Sequence, residues 1–467
     1  MPLSRRDFLA QSAFACLCGC RTAPSGQPDL RLGIISDIHL RTNRPDAAVP
    51  LERALSCFRD RRVDGVVAAG DLADLGTREQ LELFARTWRA VFPDDRLPDG
   101  SRVEKLFVTG NHDLEWYPNL LRENGETDPD CRKRTLSYGD NRRVFWQELF
   151  GETFEPFAIR TVKDFRVVLA QYGAKGLSRF LEEHRAELEG DRPFFYVAHL
   201  HPKGTVGAPW LPEAMADDES VTRSLAAFPN AIALTGHSHT TLTDDRMCWR
   251  GDFTSIGTGT LFWNIPWGGR ENASTFGGGS ACVRQMPSVS GKAWQGLLLT
   301  LEGGVLRCER HEFRLGGRLG PDWTLPLPHR GGDGRFPCVP AALPQFAADA
   351  RLAVRRERGK DLGGRTLEQI VVSFPPAISG PGRSRAFDYR VRLSRRDMDA
   401  GRCVEKRVYS TAWNLNEGQE RQPVECRFSP EEIGGADRLR AEVWPLDCLG
   451  RAGVALSDDF DKMGGMK

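Results

Sequence analysis

The chain has 467 residues, of which 40% are hydrophobic and 27% are charged, a balance typical of a soluble globular protein. Its 64 basic and 63 acidic side chains leave a formal net charge of +1, so the overall charge does not favour a nucleic acid or another acidic polymer as partner. The length predicts two domains of ordinary size. An anionic ligand therefore needs a local binding site.

The N-terminal segment has the pattern of a bacterial export signal. Arg5 and Arg6 precede an apolar stretch that is too short to span a bilayer, and together they resemble a twin-arginine signal. A Leu-Cys-Gly-Cys sequence ends that stretch and resembles a lipobox in which Cys20 carries the lipid. Because Cys18 replaces the usual small residue, plain cleavage further along stays an alternative. We expect residues 1–27 to be the signal and tether of an exported protein, either periplasmic or membrane-anchored as a lipoprotein.

Short apolar runs alternate with segments of helical period over residues 28–318. Apolar runs of this length predict strands that are buried on both faces, and the segments between them predict helices. Alternating strands and helices predict a layered α/β domain with helices outside the sheets. Five of the runs end in clusters of polar residues, and ligands gather at the carboxyl ends of strands in such domains. The clusters are therefore the candidate site.

The polar clusters contain six of the nine histidines of the chain, together with carboxylates and an amide. In chain order they are Asp37 with His39, Asp71, the run Asn111-His112-Asp113, His199 with His201, and His237 with His239. In an extended backbone alternate side chains share a face, which predicts that Asp37 and His39 point together, as do His237 and His239. Carboxylate, imidazole and amide donors suit zinc, manganese or iron.

These motifs resemble the calcineurin-like metallophosphoesterase family. The pattern D-x-H at Asp37, G-D-x-x-D from Gly70, G-N-H-D from Gly110, a strand-end histidine and G-H-x-H from Gly236 follow one another in the family's order. The three glycines are expected to let the chain turn sharply where a strand becomes a loop. The resemblance implies a layered α-β-β-α metallophosphoesterase sandwich as the catalytic domain.

The resemblance also implies two metal ions with Asp71 as the bridging ligand. One ion would be completed by Asp37, His39 and His239, and the other by Asn111, His199 and His237. The fourth motif reads Ala-His-Leu-His-Pro, so either histidine can be its ligand; we prefer His199 because it directly ends the strand, which leaves His201 as a substrate-binding candidate. The ions, whether zinc, manganese or iron, would generate a bridging hydroxide that attacks a phosphomonoester or phosphodiester.

The resemblance gives His112 the role of protonating or stabilising the leaving oxygen, with Asp113 fixing its tautomer. Further candidates for the substrate pocket are Lys203, Trp116 and the turn at 257–263. The substrate would be a small phosphate ester. The alternative function is a cell-surface binding protein whose phosphoesterase domain is catalytically silent, and the complete ligand set disfavours it.

The C-terminal part of the chain differs from the rest in its amino-acid composition and in its pattern of apolar residues. Residues 319–346 are rich in Pro and Gly and predict a connector. Short alternating segments then predict a small all-β sandwich over 347–467, whose end resembles a fibronectin type III or immunoglobulin-like module. This region contains no histidine, so we expect a structural or docking role. In an oxidising compartment some cysteines can pair, and Cys403 with Cys426 or Cys448 is one example, but the sequence does not determine the pairing.

Overall fold

The computed structural model describes residues 28–461, apart from gaps at 208–210, 268–269, 273–290, 293, 330, 332–334, 361–365, 379, 381, 397–402, 411–412, 416–421 and 435–437. The predicted export signal, with Arg5, Arg6 and Cys20, lies outside these residues. Within the described ranges, no helix has the length and apolar character needed to cross a membrane.

The first sheet has six strands. In order across the sheet they are β14 (Trp323–Pro326), β13 (Val305–Glu312), β12 (Gln295–Glu302), β1 (Leu30–Ile35), β2 (Gly65–Ala69) and β3 (Glu104–Val108). β1, β2 and β3 run parallel, and β12 pairs antiparallel with β1. Because parallel strands end at the same edge of a sheet, the loops after β1, β2 and β3 lie side by side.

The second sheet also has six strands. Their order is β4 (Phe157–Val162), β5 (Phe165–Ala170), β6 (Phe194–Ala198), β7 (Ala231–Thr235), β9 (Thr254–Gly257) and β8 (Cys248–Arg250). β5, β6, β7 and β9 run parallel, whereas the two edge strands pair antiparallel. Every residue of β6 and β7 is buried, as their continuous apolar sequences predict.

Helices cover the outer faces of both sheets. They are α1 (Val49–Asp60), α2 (Arg78–Val91), α3 (Tyr117–Asn124), α4 (Cys131–Arg134), α5 (Asn141–Phe150), α6 (Leu177–Glu183), α7 (Arg185–Leu188) and α8 (Ser220–Leu225). Apolar side chains of α1, α2 and α5 pack on the first sheet, and those of α6, α7 and α8 pack on the second. The inner faces of the two sheets share a further core. The predicted α-β-β-α order is confirmed.

Shorter elements connect these layers. They are 3₁₀ turns at Pro93–Asp95, Glu213–Met215 and Asp245–Met247, a π-helical turn at His112–Trp116, and a two-stranded ribbon of β10 (Trp263–Asn264) and β11 (Gly291–Lys292). The π-helical turn directly precedes α3 and carries His112, so this candidate residue sits in an uncommon backbone conformation.

The C-terminal region forms two further sheets. One contains β15 (Ala353–Lys360), β16 (Thr366–Phe374) and β19 (Val424–Phe428), and the other β18 (Cys403–Val408), β17 (Asp388–Arg395), β20 (Arg438–Leu446) and β21 (Leu456–Asp461), with α9 (Pro430–Ile433) beside them. Both sheets contribute buried apolar side chains to one core, for example Val372 and Val391. The predicted all-β region is confirmed, and its likeness to an immunoglobulin module stays a prediction.

Two sequence-based expectations need correction. The region 319–346 is more than a connector, because β14 extends the first sheet and Trp323 is buried in the core between the sheets. The suggested pairing of Cys403 with Cys426 or Cys448 is wrong for the described chain, since all three are free thiols. Among the described cysteines, a different pair, Cys248 and Cys338, lies close together.

That close pair joins β8 to the segment after β14. The sulfur atoms of Cys248 and Cys338 lie 3.3 Å apart, and both residues are free thiols. The same segment forms reciprocal backbone hydrogen bonds between Arg250 and Arg335. The chain therefore stays attached to the second sheet before it enters the C-terminal sandwich.

Candidate metal centre

Five loops meet where the parallel strands of the two sheets end. After β1, β2, β3, β6 and β7 they carry, respectively, Asp37 with His39, Asp71, Asn111, His199, and His237 with His239. The carboxylate and imidazole donors named above form two groups in which all donor atoms lie within 4.8 Å of one another; outside this set, Asp74 and His112 form a further such group with His39. Asp71 belongs to both groups, which is the position that a bridging carboxylate needs.

The first group, here called the His239 half-site, contains Asp37, His39, Asp71 and His239. His239 Nε2 lies 3.2 Å from a carboxylate oxygen of Asp37 and 3.1 Å from His39 Nε2. His39 Nε2 in turn lies 3.6 Å from the Asp71 carboxylate. All four side chains are buried. Two carboxylates and two imidazoles thus face one small space.

The second group, here called the His199 half-site, contains Asp71, His199 and His237. His199 Nε2 lies 3.3 Å from the Asp71 carboxylate and 3.1 Å from His237 Nδ1. The amide oxygen of Asn111 lies 3.1 Å from the same His199 nitrogen. The structure therefore brings all seven predicted ligands together, in the two sets expected from the sequence.

Backbone carbonyl groups set the tautomers of three imidazoles. The donating nitrogens are His199 Nδ1 to Ala69 (2.9 Å), His239 Nδ1 to Trp263 (2.9 Å) and His237 Nε2 to Ala214 (3.2 Å). Because a carbonyl oxygen can only accept, the opposite nitrogen of each neutral ring presents a lone pair. His199 Nε2 and His237 Nδ1 then face each other 3.1 Å apart. If both rings were neutral, two lone pairs would face each other and repel; a proton on His199 Nε2 or a cation beside both nitrogens removes that repulsion, so these donors fit a metal ion.

The charges of the side chains in the two half-sites also favour a bound cation. Burial lowers the pKa of His199, but the carboxylates of Asp71 and Asp37 outweigh it and raise that pKa to about 9. Burial raises the pKa of both carboxyl groups, yet the neighbouring imidazoles outweigh it and hold them well below their usual range. Burial and His199 lower the pKa of His237 to about 4, which keeps that ring neutral. Ionised carboxylates beside a neutral imidazole are a suitable cation site.

Five of the predicted ligands have a left-handed backbone. They are Asp37 (φ 49°), His39 (48°), Asp71 (51°), His237 (69°) and His239 (50°). This conformation costs an L residue about 1–2 kcal/mol and persists only where the surrounding structure imposes it, often at functional sites. The alternation argument is therefore wrong in its premise, because neither D-x-H nor H-x-H is extended. The side chains converge through these left-handed turns instead.

The glycines before the ligands have two different roles. Gly70 has a φ of 92°, so it provides the expected sharp turn. Gly110 and Gly236 do not adopt left-handed backbone; a Cβ at Gly110 would lie 2.1 Å from an Asp71 carboxylate oxygen, and one at Gly236 would lie 2.6 Å from an oxygen of Asp37. These two glycines therefore make room for the carboxylates.

Residues 30–241 match the family model described as calcineurin-like phosphoesterase. This part of the chain is therefore similar to calcineurin-like phosphoesterase domains. The matched segment begins with β1 and ends just after His239, so it includes all seven predicted ligands. The resemblance drawn from the sequence motifs is confirmed for this domain.

Solved structures of similar proteins include phosphatases. A dimetal phosphatase from Danio rerio is 15% identical, with 65% of this chain and 100% of that chain covered and a TM-score of 0.35. A purple acid phosphatase from yellow lupin (Lupinus luteus) seeds is 15% identical, with coverages of 64% and 55% and a TM-score of 0.40. GAP50, the anchor in the inner membrane complex of Plasmodium, is 12% identical, with coverages of 64% and 89% and a TM-score of 0.35. No curated protein matches the chain.

His112 of the phosphoesterase domain is held differently from what the motif predicts. Its Nδ1 lies 2.9 Å from the Asp74 carbonyl oxygen, and its ring stacks on Trp116 with centroids 4.3 Å apart. The Asp113 carboxylate accepts from the backbone N–H groups of Leu72, Ala73 and Gly110. The prediction that Asp113 fixes the His112 tautomer is therefore wrong, because Asp113 is fully buried and organises the loops around it.

The two weaker substrate candidates lie apart from the ligand groups. His201 is buried, and its two ring nitrogens lie 2.7 Å from the Thr235 hydroxyl and 2.8 Å from the Ser238 hydroxyl. It is therefore a structural histidine, and its predicted contact with substrate is wrong. Lys203 Nζ lies 3.2 Å from a carboxylate oxygen of Glu219. Its contact with substrate stays a prediction.

Sequence reasoning missed several supports of the centre. Asp74 closes the G-D-x-x-D motif, yet no role was expected for it. Its carboxylate lies 3.4 Å from His39 Nδ1, where it can orient that ring, and it also pairs with Arg41. The motif itself was the signal that could have found it. The carbonyl groups that hold the imidazoles carry no such signal, since any residue supplies them.

The C-terminal region reaches the centre through buried side-chain amides. Asn264 Nδ2 lies 3.2 Å from the His239 carbonyl oxygen, and Asn414 Nδ2 lies 3.3 Å from Asn264 Oδ1. Gln295 Nε2 donates to the Asn414 carbonyl oxygen over 2.7 Å. Because all three amides are buried, each contact is costly to lose. The loop of His239 is thus supported by residues of two domains.

Proposed function

We propose that this protein is a two-metal phosphoesterase that hydrolyses phosphomonoesters or phosphodiesters. The observation that carries the proposal is the position of Asp71, which belongs to both half-sites, together with the imidazole nitrogens that face the same space. When bound, two cations supply neutralisation of the phosphate charge and lower the pKa of the attacking water. Zinc, manganese and iron all suit this donor set.

The chain's own residues supply the proton for the leaving group. His112 Nδ1 donates to the Asp74 carbonyl group, so the proton for the leaving oxygen would be a second one, carried on Nε2 of the doubly protonated ring. Burial lowers the pKa of His112, which makes that cationic ring a stronger acid. The ring is held by Trp116 on one face and by the edge contact with His39, whose centroid is 4.4 Å away. Such positioning is most of what phosphoryl transfer requires of a side chain.

Metal content and ester hydrolysis test the proposal together. We expect purified protein to contain close to two equivalents of zinc, manganese or iron and to hydrolyse 4-nitrophenyl phosphate, bis(4-nitrophenyl) phosphate or both. Chelation is expected to abolish turnover, and adding the metal back is expected to restore it. Protein that binds two metal equivalents but hydrolyses neither ester would favour the catalytically silent binding protein. That alternative is disfavoured by the complete and convergent donor set.

The chain is also an exported bacterial protein in this proposal. The support is the Arg5-Arg6 pair with its short apolar stretch, and a twin-arginine route carries folded proteins, which agrees with loading metal before export. Replacing both arginines by lysine is expected to retain the protein in the cytoplasm, whereas Arg21→Lys is not. Cys20→Ala distinguishes lipidation from plain cleavage. If the substitution releases the protein from the membrane fraction, Cys20 carries a lipid anchor; if the protein is in the soluble periplasmic fraction with and without the substitution, the signal is simply cleaved.

A further inference from the structure

A groove of about 200 Å³ opens beside His39, so it adjoins the His239 half-site. Its walls are mostly apolar and include Phe262, Trp263, Trp294, Leu261 and Pro50, with Arg41 among the polar lining residues. The groove therefore offers apolar surface directly next to the place where a phosphate group would bind.

A row of rings connects this groove to the predicted catalytic histidine. Successive ring centroids are 6.0 Å apart from Trp263 to Phe262, 5.1 Å from Phe262 to His39, 4.4 Å from His39 to His112 and 4.3 Å from His112 to Trp116. The row runs past the ligands of the His239 half-site, with a tryptophan at each end. A substrate held at the centre would meet aromatic surface at either end of this row.

The two end residues are unusual for their exposure. Trp116 is 43% exposed and Trp263 is 38% exposed, and no other Phe, Trp or Tyr in the described ranges is classed as exposed. Large aromatic side chains gain free energy from burial, so exposed ones that flank a cleft indicate a ligand or partner. Of the two, Trp263 lines the groove, which favours a ligand there, whereas Trp116 lies at the far end of the row of rings.

We propose that this groove binds a planar aromatic group of the phosphate ester, so that the substrates are aryl-type esters. The inference rests on the proposed function, because the groove is argued to continue the phosphate site. A cavity of about 150 Å³ holds one benzene ring, so the groove has room for a single ring or a small ring system. Phe262 is fixed for this role because the Arg41 guanidinium lies 4.8 Å from its ring centroid and also pairs with Asp74.

Binding of two non-hydrolysable phosphonates tests the groove. Phenylphosphonate and methylphosphonate carry the same metal-binding group and differ in the ring. Calorimetric titration of metal-loaded protein is expected to give a Kd for phenylphosphonate about tenfold lower, in line with the value of one buried aromatic contact. Trp263→Ala and Phe262→Leu are expected to remove most of that preference. Because both phosphonates are measured on the same variant, the ratio of their Kd values cancels any change in phosphate binding that the substitution causes at the centre.

A matched control is available in the C-terminal sandwich. Trp444 lies on β20 under the guanidinium groups of Arg390 and Arg392, so Trp444→Ala removes a tryptophan from a different surface and should keep the phenyl preference. Equal affinities for the two phosphonates in the unaltered protein, or a preference that survives both groove substitutions, would overturn the proposal. Protein that prefers phenylphosphonate but hydrolyses no ester would instead keep the groove and reject the proposed function.

Discussion

The two half-sites of the candidate metal centre are supported from different parts of the molecule. In the His199 half-site, the imidazole of His199 donates to the Ala69 carbonyl group of β2, inside the phosphoesterase domain. In the His239 half-site, the imidazole of His239 donates to Trp263, whose neighbour Asn264 is bonded to Asn414 of the C-terminal region. The imidazole contact of the first half-site therefore links the two sheets, because His199 follows β6 of the second sheet and Ala69 ends β2 of the first. The second half-site depends in addition on the C-terminal region.

Further contacts join the C-terminal region to the loop that carries both His237 and His239. Trp267 Nε1 donates to the carbonyl oxygen of Ser238, between the two histidines of the last motif, and the Tyr409 hydroxyl donates to the carbonyl oxygen of Trp267. Asn272 and Tyr409 exchange two hydrogen bonds of 2.9 Å between a side-chain amide and a backbone. The expected structural role of the C-terminal region thus extends to the loop that presents a predicted ligand. The comparison yields four predictions.

The largest effect is expected from Asp71→Asn, because this residue alone belongs to both half-sites. Loss of the shared carboxylate should weaken both metal ions and reduce turnover by at least about 100-fold. Metal analysis and ester hydrolysis measure the two effects, with circular dichroism to verify the fold. Asp164→Asn serves as control, since its side chain is 80% exposed. Full turnover in the Asp71 variant would reject the proposed mechanism.

Two glycine substitutions should separate the half-sites. A Cβ on Gly70 would lie 2.3 Å from His199 Nδ1, so Gly70→Ala is expected to displace His199 and reduce metal content toward one equivalent. A Cβ on Gly236 would lie 2.6 Å from the Asp37 carboxylate, so Gly236→Ala should instead damage the His239 half-site. Zinc titration by calorimetry distinguishes loss of the one binding step from loss of the other.

The glycine predictions have matched controls. Gly173 has a φ of 75° with nothing within 4 Å of an added Cβ, so Gly173→Ala measures the backbone cost without a clash. A Cβ at Gly380 would also meet no atom within 4 Å, and Gly380 does not have a left-handed φ. Gly380→Ala is therefore the control for Gly236→Ala. If Gly70→Ala and Gly236→Ala remove the same binding step, the division into two half-sites is mistaken.

Some features of the two half-sites were predictable from the sequence, and others were not. The apolar runs and the polar clusters at their ends predicted the layered fold and the candidate ligand residues, because buried strands leave continuous apolar sequence. The shared position of Asp71 came only from the resemblance to the metallophosphoesterase family. The left-handed backbone at Asp37 or His239 was not predictable, since non-glycine residues rarely adopt it. Nor was the contact of Asn264 with Asn414, which depends on how two domains pack and which leaves no local pattern.

A smaller effect is expected from Asn414→Ala. The substitution leaves the buried side-chain oxygen of Asn264 without the donor that Asn414 supplies, and loss of support for a ligand loop typically weakens metal binding by about 10- to 100-fold. We expect the loss at the binding step that Gly236→Ala removes and not at the step that Gly70→Ala removes. Asn124→Ala, at an exposed position at the end of α3, is the control. Unchanged titration curves would show that the C-terminal region does not support the His239 half-site.

The smallest effect concerns the attachment of the C-terminal region to the second sheet. The sulfur atoms of Cys248 and Cys338 lie 3.3 Å apart, and a disulfide requires about 2.05 Å, so a shift of little more than 1 Å would allow the bond. With diamide as oxidant, we expect peptide mass spectrometry to find Cys248 joined to Cys338 and Cys403 still alkylatable. Oxidation should raise the unfolding temperature slightly and leave both metal-binding steps unchanged, because the pair is on β8 and the segment after β14, away from the amide contacts of Asn264. A changed metal step at the His239 half-site would instead show that this attachment, and not the amides alone, carries the support from the C-terminal region.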